Sequence, residues 1–202
     1  IGVLYILENG DRINSVADLE GKTILASGQG STAEYVLNYI LEKNGVSAEI
    51  FWATEHSEAA TLALSGEYDI VMLLEPFVTN VTTKSDFFRV ALDLTKEWEA
   101  LGGGELTMGG IAVRTDFLEA HPDAVKAFVK EYANSVSFTN AQPEDAAKLI
   151  AKYEIATEEV AKNAIHGEDY KAKLENFLSV VYEANPAGIG GKMPGEDFYL
   201  NY

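Results

Sequence analysis

The apolar residues of this chain follow two periods that alternate along it. Short unbroken apolar runs, each bounded by turn residues, stand at GVLYILE (2–8), KTILAS (22–27), AEIFWA (48–53), DIVMLLE (69–75) and FRVALDL (88–94). Runs of this length, rich in β-branched and aromatic residues, predict strands, and the continuous ones predict burial on both faces. Between them the spacing turns helical. Ala33, Val36, Leu37, Ile40 and Leu41 share one helix face, and Gly45 stops that helix. Residues 56–65 form a second helix closed by Gly66, and 76–84 a third entered through Pro76 at its first position. Ser15 with Asp18 caps a short helix ending at Gly21, after a turn at 9–12. This strand–helix alternation predicts a parallel α/β sheet.

After a flexible break at GGGE (102–105), TMGGIAVR (107–114) predicts one more strand, and the pattern is helical from there on. Helices are expected at 115–119, 122–140, 143–153, 157–165 and 170–184, ahead of a loop tail with an aromatic cluster. The predicted fold class is therefore α/β. One complete parallel-sheet lobe occupies 14–106 and is inserted between two crossing strands, while 1–13 and 107–202 supply those hinge strands and the helical C-terminal part of another lobe.

Composition narrows the function classes. Hydrophobic residues make up 47% and charged ones 23%, which allows a buried core. Thirty-two acidic residues against 15 basic ones give a formal net charge of −17. Such a surface repels phosphate backbones and anionic lipid, so no nucleic acid and no membrane surface is expected as a partner. A small anionic ligand held by local donors stays compatible with it. The absence of cysteine excludes disulfides, zinc–thiolate sites and cysteine nucleophiles. The apolar run IVMLL (70–74) is far short of the ~20 residues a transmembrane helix needs. The chain opens at Ile1 inside a strand-like run, and an upstream segment is expected.

Candidate chemistry concentrates where predicted strands run into helices. In LASGQGSTAEYVLNYILEKNG (25–45), Gly28, Gly30 and Ala33 match the dinucleotide fingerprint G-x-G-x-x-G/A, and Glu55 ends the next strand as the acidic partner that fingerprint expects. The same loop, with Gln29, Ser31 and Thr32, can hold a single small anionic group at the helix N-terminus, or it can be a bare tight turn. Ser31 and Glu34 fit a capping box. Glu75, Pro76 and Phe77 stand at the carboxyl end of another strand, where ligands collect in open α/β sheets; Glu75 can accept from an amine or amide and Phe77 can stack on a ring. His56 and Ser57 lie on the same edge, with His56 the ligand candidate. Met108, Gly109 and Gly110 sit on the return strand, where glycine permits close approach of backbone or ligand. His121 reads as a helix cap and His166 as a loop residue; the three histidines are scattered and suggest no metal site and no catalytic Ser/His/Asp set. Trp52 and Trp98 read as packing residues.

Taken together, SVADLEGKTILASGQGSTAEYVLNYILEKNG (15–45) and EHSEAATLALSGEYDIVMLLEPFV (55–78) resemble the solute-binding proteins of ABC importers, in the NMT1/THI5-like branch that binds sulfonates, nitrate and thiamine-precursor pyrimidines. DLEGK (18–22), SGEYDI (65–70), EPFV (75–78), HPDAVKAF (121–128) and GGKMPGEDFY (190–199) stand where that family has similar segments, so the likeness runs along nearly the whole chain. It implies the type II periplasmic-binding fold, with a small-molecule solute in a cleft between two lobes and delivery to an ABC permease in the membrane. It also implies an extracytoplasmic location, periplasmic or lipid-anchored, with no cofactor and no catalysis. On this resemblance Gly28, Gln29, Gly30, Ser31 and Thr32 offer donors to the solute, Glu75, Pro76 and Phe77 form the neighbouring wall, and Met108 to Gly110 lie near the hinge. The family carries about one small domain of chain, on the order of 100 residues, ahead of the first crossing strand. The sequence starts at that strand, so a fragment, a processed product, or a chain whose incomplete lobe is covered by a second copy or another chain is expected. The alternative class is an enzyme, either a pyrimidine-precursor synthase on the same fold or an NAD(P)-binding domain; a ligand-sensing module is a third.

Overall fold

The computed structural model describes residues 4–104, 106, 110–164 and 192. They fall in two compact units, the first holding 4–104, 106 and 192 and the second 110–164.

The first unit is built on five strands: β1 (Leu4–Asn9), β2 (Thr23–Ser27), β3 (Glu49–Ala53), β4 (Ile70–Leu74) and β5 (Phe88–Asp93). Their order across the sheet is β3-β2-β4-β1-β5. β2 runs parallel to β3 and β4, giving the parallel core expected from the alternation of elements. β1 departs from that expectation. It is not a strand outside the 14–106 block but lies within the same sheet, antiparallel to both β4 and β5. Its composition explains the position: Leu4, Ile6 and Leu7 are all buried, so the strand needs cover on both faces and cannot sit at an edge. A register shift between Ile6 and Leu7 marks a bulge against β5.

Helices cover the two faces separately. Leu4, Ile6, Ile24, Ala26, Ile70 and Met72 point to one face, where they meet α1 (Thr32–Lys43) and Trp98 of α4 (Leu94–Ala100). Leu7, Leu25, Val71 and Leu73 point to the other, against Ala59, Ala60 and Ala63 of α2 (His56–Leu64) and Val78 and Val81 of α3 (Phe77–Lys84). The opposite-face alternation of adjacent strand residues thus divides one apolar run into two cores. α4 lies in a stretch not expected to be helical. Asp93 starts it by accepting from the N–H groups of Thr95 and Lys96. Trp98 is fully buried, as its reading as a packing residue requires, and its Nε1–H donates to the carbonyl of Gly103 at 2.8 Å.

At the amino edge of the parallel strands, Glu8 is buried completely. It accepts from the N–H groups of Arg12 and Ile13, from Arg12 Nε at 3.2 Å and from Arg89 Nη2 at 3.0 Å. Arg89 also donates to the carbonyls of Gly10 and Ile13, so the carboxylate ties the loop after β1 to β5. Burial pushes the Glu8 carboxyl up, but the N–H bonds from Ile13 and Arg12, the Arg12 side chain and the Arg89 charge outweigh it and hold the group below its ordinary value.

The described part of the second unit is helical: α5 (Thr115–Ala120), α6 (Pro122–Ala141), α7 (Pro143–Lys152) and α8 (Glu158–Ala164). Val125, Ala146, Ala147 and Ala161 are buried, while Phe117, Phe128, Tyr132, Leu149, Tyr153 and Ile155 are exposed. His121 precedes α6 but makes no side-chain capping bond; its ring lies against Phe117, with centroids 4.9 Å apart. Residues 110–114, expected in a strand, are not one, because they have no paired neighbour among the described residues. The helix expected at 170–184 and His166 lie outside the described residues.

Candidate functional site

The order of strands creates the site. The chain leaves β2 for α1 on one face of the sheet, and leaves the adjacent β4 for α3 on the other. Neighbouring strands whose connections diverge open a crevice beyond their carboxyl ends. The loop from β3 into α2 ends on this same edge, and the start of antiparallel β1 reaches it too, since Tyr5 pairs with Leu73 and Asp93. Ser27 to Thr32, His56, Glu75 to Phe77 and Tyr5 therefore converge on one rim of the first unit.

The loop is held by its own hydrogen bonds. Gly28 and Gly30 have φ of 89° and 77°, a left-handed region that favours glycine. A Cβ on Gly28 would stand 2.8 Å from Ser31 Oγ, so the turn is also too tight for one. Ser31 caps α1: its Oγ accepts from Ala33 N–H at 3.2 Å and donates to the Gly28 carbonyl at 2.5 Å. Glu34 does not close the expected reciprocal box onto Ser31. Its carboxylate takes the N–H of Gly30 at 2.6 Å, while Ser31 N–H goes to the Gly28 carbonyl. The N–H groups of Gln29 and Thr32 have no partner among the described residues, leaving one donor in the loop and one at the first residue of α1.

The other walls carry rings and carboxylates. His56 Nδ1 lies 2.6 Å from Ser27 Oγ, and the imidazole packs on Phe77 with centroids 5.7 Å apart. Glu75 accepts from Thr79 N–H at 3.1 Å, capping α3, and Glu58 takes the Thr54 N–H at the start of α2. Burial, then the charges of Asp93 and Glu75, push the Tyr5 phenol up from its ordinary value of 10.0. Tyr5 and Ser27 are absent from the sequence-based set. Tyr5 becomes visible only once β1 is known to run antiparallel; Ser27, last residue of a buried strand, stands one position before the loop that was found. Met108 and Gly109 lie outside the described residues.

A depression of about 530 Å³ lies at the opposite edge, lined by Arg12, Lys22, Thr23, Glu67, Tyr68 and Asp69. Its Arg12 guanidinium is engaged by Glu8 through Nε and by Asp69 through Nη2.

A profile of the family described as NMT1/THI5-like matches residues 2–146, and the chain belongs to that family. No curated protein sequence matches it. Among solved structures, the periplasmic aliphatic sulphonate binding protein SsuA from Escherichia coli is similar at a TM-score of 0.69 and 18% identity, over 96% of this chain and 66% of that one. The alkanesulfonate-binding protein SsuA from Xanthomonas axonopodis pv. citri, bound to MOPS, has a TM-score of 0.69 and 19% identity over the same shares. An ABC transporter protein from Parabacteroides distasonis has a TM-score of 0.67 and 18% identity, over 99% of this chain and 71% of that one. The likeness establishes the fold, and the chain spans about two thirds of the length of these proteins.

Proposed function

We propose that the chain is the substrate-binding component of an ABC importer, holding a small polar or anionic solute reversibly for delivery to a membrane permease. The observation that carries this reading is the rim at the switch between β2 and β4. There the Gln29 and Thr32 N–H groups and His56 Nε2, unpartnered among the described residues, stand on the same strand-end edge as Phe77. Donors of this kind suit a ligand with acceptor atoms, and the ring suits an apolar or aromatic portion. The relatives named for sulfonates support the same class of ligand. In this reading the protein works outside the cytoplasmic membrane, in the periplasm or on a lipid anchor, and catalyses nothing.

The enzyme readings gain no support from the site. Glu34 already occupies the Gly30 N–H that a dinucleotide phosphate would use. Ser27 is 2% exposed, and no acidic partner to orient the histidine beside it is seen among the described residues. Isothermal titration of the purified chain with butanesulfonate, nitrate and an aminopyrimidine tests the proposal. Saturable binding of one of them, weakened by Thr32→Pro, is expected; tight NADH binding with none of the three would overturn it.

A further inference from the structure

We propose that Ser27 is a positioning residue: it fixes His56 in the Nε2–H form, so that His56 presents a single hydrogen-bond donor to the solute. The inference deepens the function proposed above and rests on it for the identity of the recipient. The geometry starts with a proton count. Ser27 Oγ is buried, and its partner among the described residues is His56 Nδ1, at 2.6 Å. A hydroxyl carries one proton to donate, whereas a neutral imidazole carries one N–H and one acceptor nitrogen. If Nδ1 held the ring proton and gave it to Ser27, the buried hydroxyl proton would be left without an acceptor, which is unfavourable. If Ser27 donates to Nδ1, both groups are satisfied and the ring proton sits on Nε2.

The ring is also held in place. Phe77 packs against it, with an interplanar angle of 36°. Gly28 lies beside the ring's Cε1, to which an added Cβ would stand at 3.5 Å. Turning the ring over would break the Ser27 bond. Nε2 has no partner among the described residues, so its proton is available to an incoming group. The solute must then place an acceptor there, an oxygen of an oxyanion or carbonyl or an aromatic ring nitrogen.

The test is long-range proton–nitrogen correlation NMR on the full 202-residue chain without ligand, recorded above the ordinary histidine titration range, with His56 assigned by its loss in His56→Gln. The expected wild-type pattern is a protonated Nε2 and an unprotonated Nδ1, and Ser27→Ala should move it to a mixture of both forms. A protonated Nδ1 or a mixture in the wild type overturns the proposal, as does an unchanged pattern in a folded Ser27→Ala. If Ser27→Ala does not fold, the wild-type spectrum decides by itself. In titrations with butanesulfonate and an aminopyrimidine, Ser27→Ala should weaken binding about five-fold, and should have no effect in the His56→Gln background. An effect that persists there means that Ser27 does not act through His56. Failure of the wild type to bind any probe counts against the proposed function, and the tautomer result then decides this inference separately.

Discussion

Gly28 and Gly30 stand two residues apart with similar φ, and an alanine at each tests how the loop is held. At Gly30, with φ of 77°, nothing lies within 4 Å of the added Cβ, so Gly30→Ala carries backbone strain alone. That strain, roughly 1–2 kcal/mol for a left-handed residue, is offset in part by the lower entropy of the unfolded alanine chain, leaving about 1 kcal/mol. At Gly28, with φ of 89°, the same strain applies, and the Cβ also meets Ser31 Oγ at 2.8 Å. Ser31 Oγ must move away from both the Gly28 carbonyl and the Ala33 N–H. Losing that cap adds about 1 kcal/mol, while the new Cβ comes into ordinary van der Waals contact with Ala33 at 3.4 Å and with His56 Cε1 at 3.5 Å. Gly28→Ala should therefore cost about 2–3 kcal/mol. At about 3 °C per kcal/mol for a chain of this size, it should melt some 3–6 °C below Gly30→Ala. Thermal unfolding by circular dichroism reads the difference, and the His56 ring resonances should shift in Gly28→Ala only. Equal melting of the two variants, or a Gly28→Ala that melts with the wild type, would refute the packing described for the loop.

Three further predictions concern the frame around the site. Glu8→Gln should cost about 2 kcal/mol, because two arginines and two backbone N–H groups lose a charged acceptor while both arginines can still reach water; urea unfolding measures it. The same carboxylate shapes the acid limb of stability. Its folded value lies below the ordinary 4.5, so its contribution is complete above about 4.5 and is lost as pH falls from there through the folded value; Glu8→Gln should lack that part of the slope. Ser31→Ala should lower stability by about 1 kcal/mol through the lost cap, whereas Thr32→Ala should melt within a degree or so of the wild type. Gly103→Ala should destabilise through contact with Trp98, whose Nε1 would lie 2.5 Å from the new Cβ, and should shift tryptophan emission to longer wavelength.

Much of the first unit could be read from the chain because its strands are short continuous apolar runs and its helices keep one apolar face. The carboxyl-end rim as a candidate follows from the same alternation, since ligands of open α/β sheets collect where parallel strands such as those before Gly28 and Pro76 run into helices. What the pattern could not carry was direction and pairing. A run such as LYILEN (4–9) is equally apolar whether it crosses between lobes or sits inside a sheet, so the place of β1, and with it Tyr5, needed the fold. Glu34 was misplaced by one hydrogen bond for a related reason. A carboxylate three residues into a helix can reach either of two neighbouring N–H groups, and the φ of Gly30 turns its N–H toward it. α4 was hidden by its shortness and by the glycines that follow it.

The central claim is that solute meets the rim at the ends of β2 and β4. Backbone amide shift mapping during titration with butanesulfonate and with an aminopyrimidine tests it most directly. The account predicts the largest changes at Gly28 to Thr32, His56 and Phe77, saturating together. Changes confined to Arg12, Lys22 and Tyr68 at the opposite edge, with the glycine loop unmoved, would contradict it.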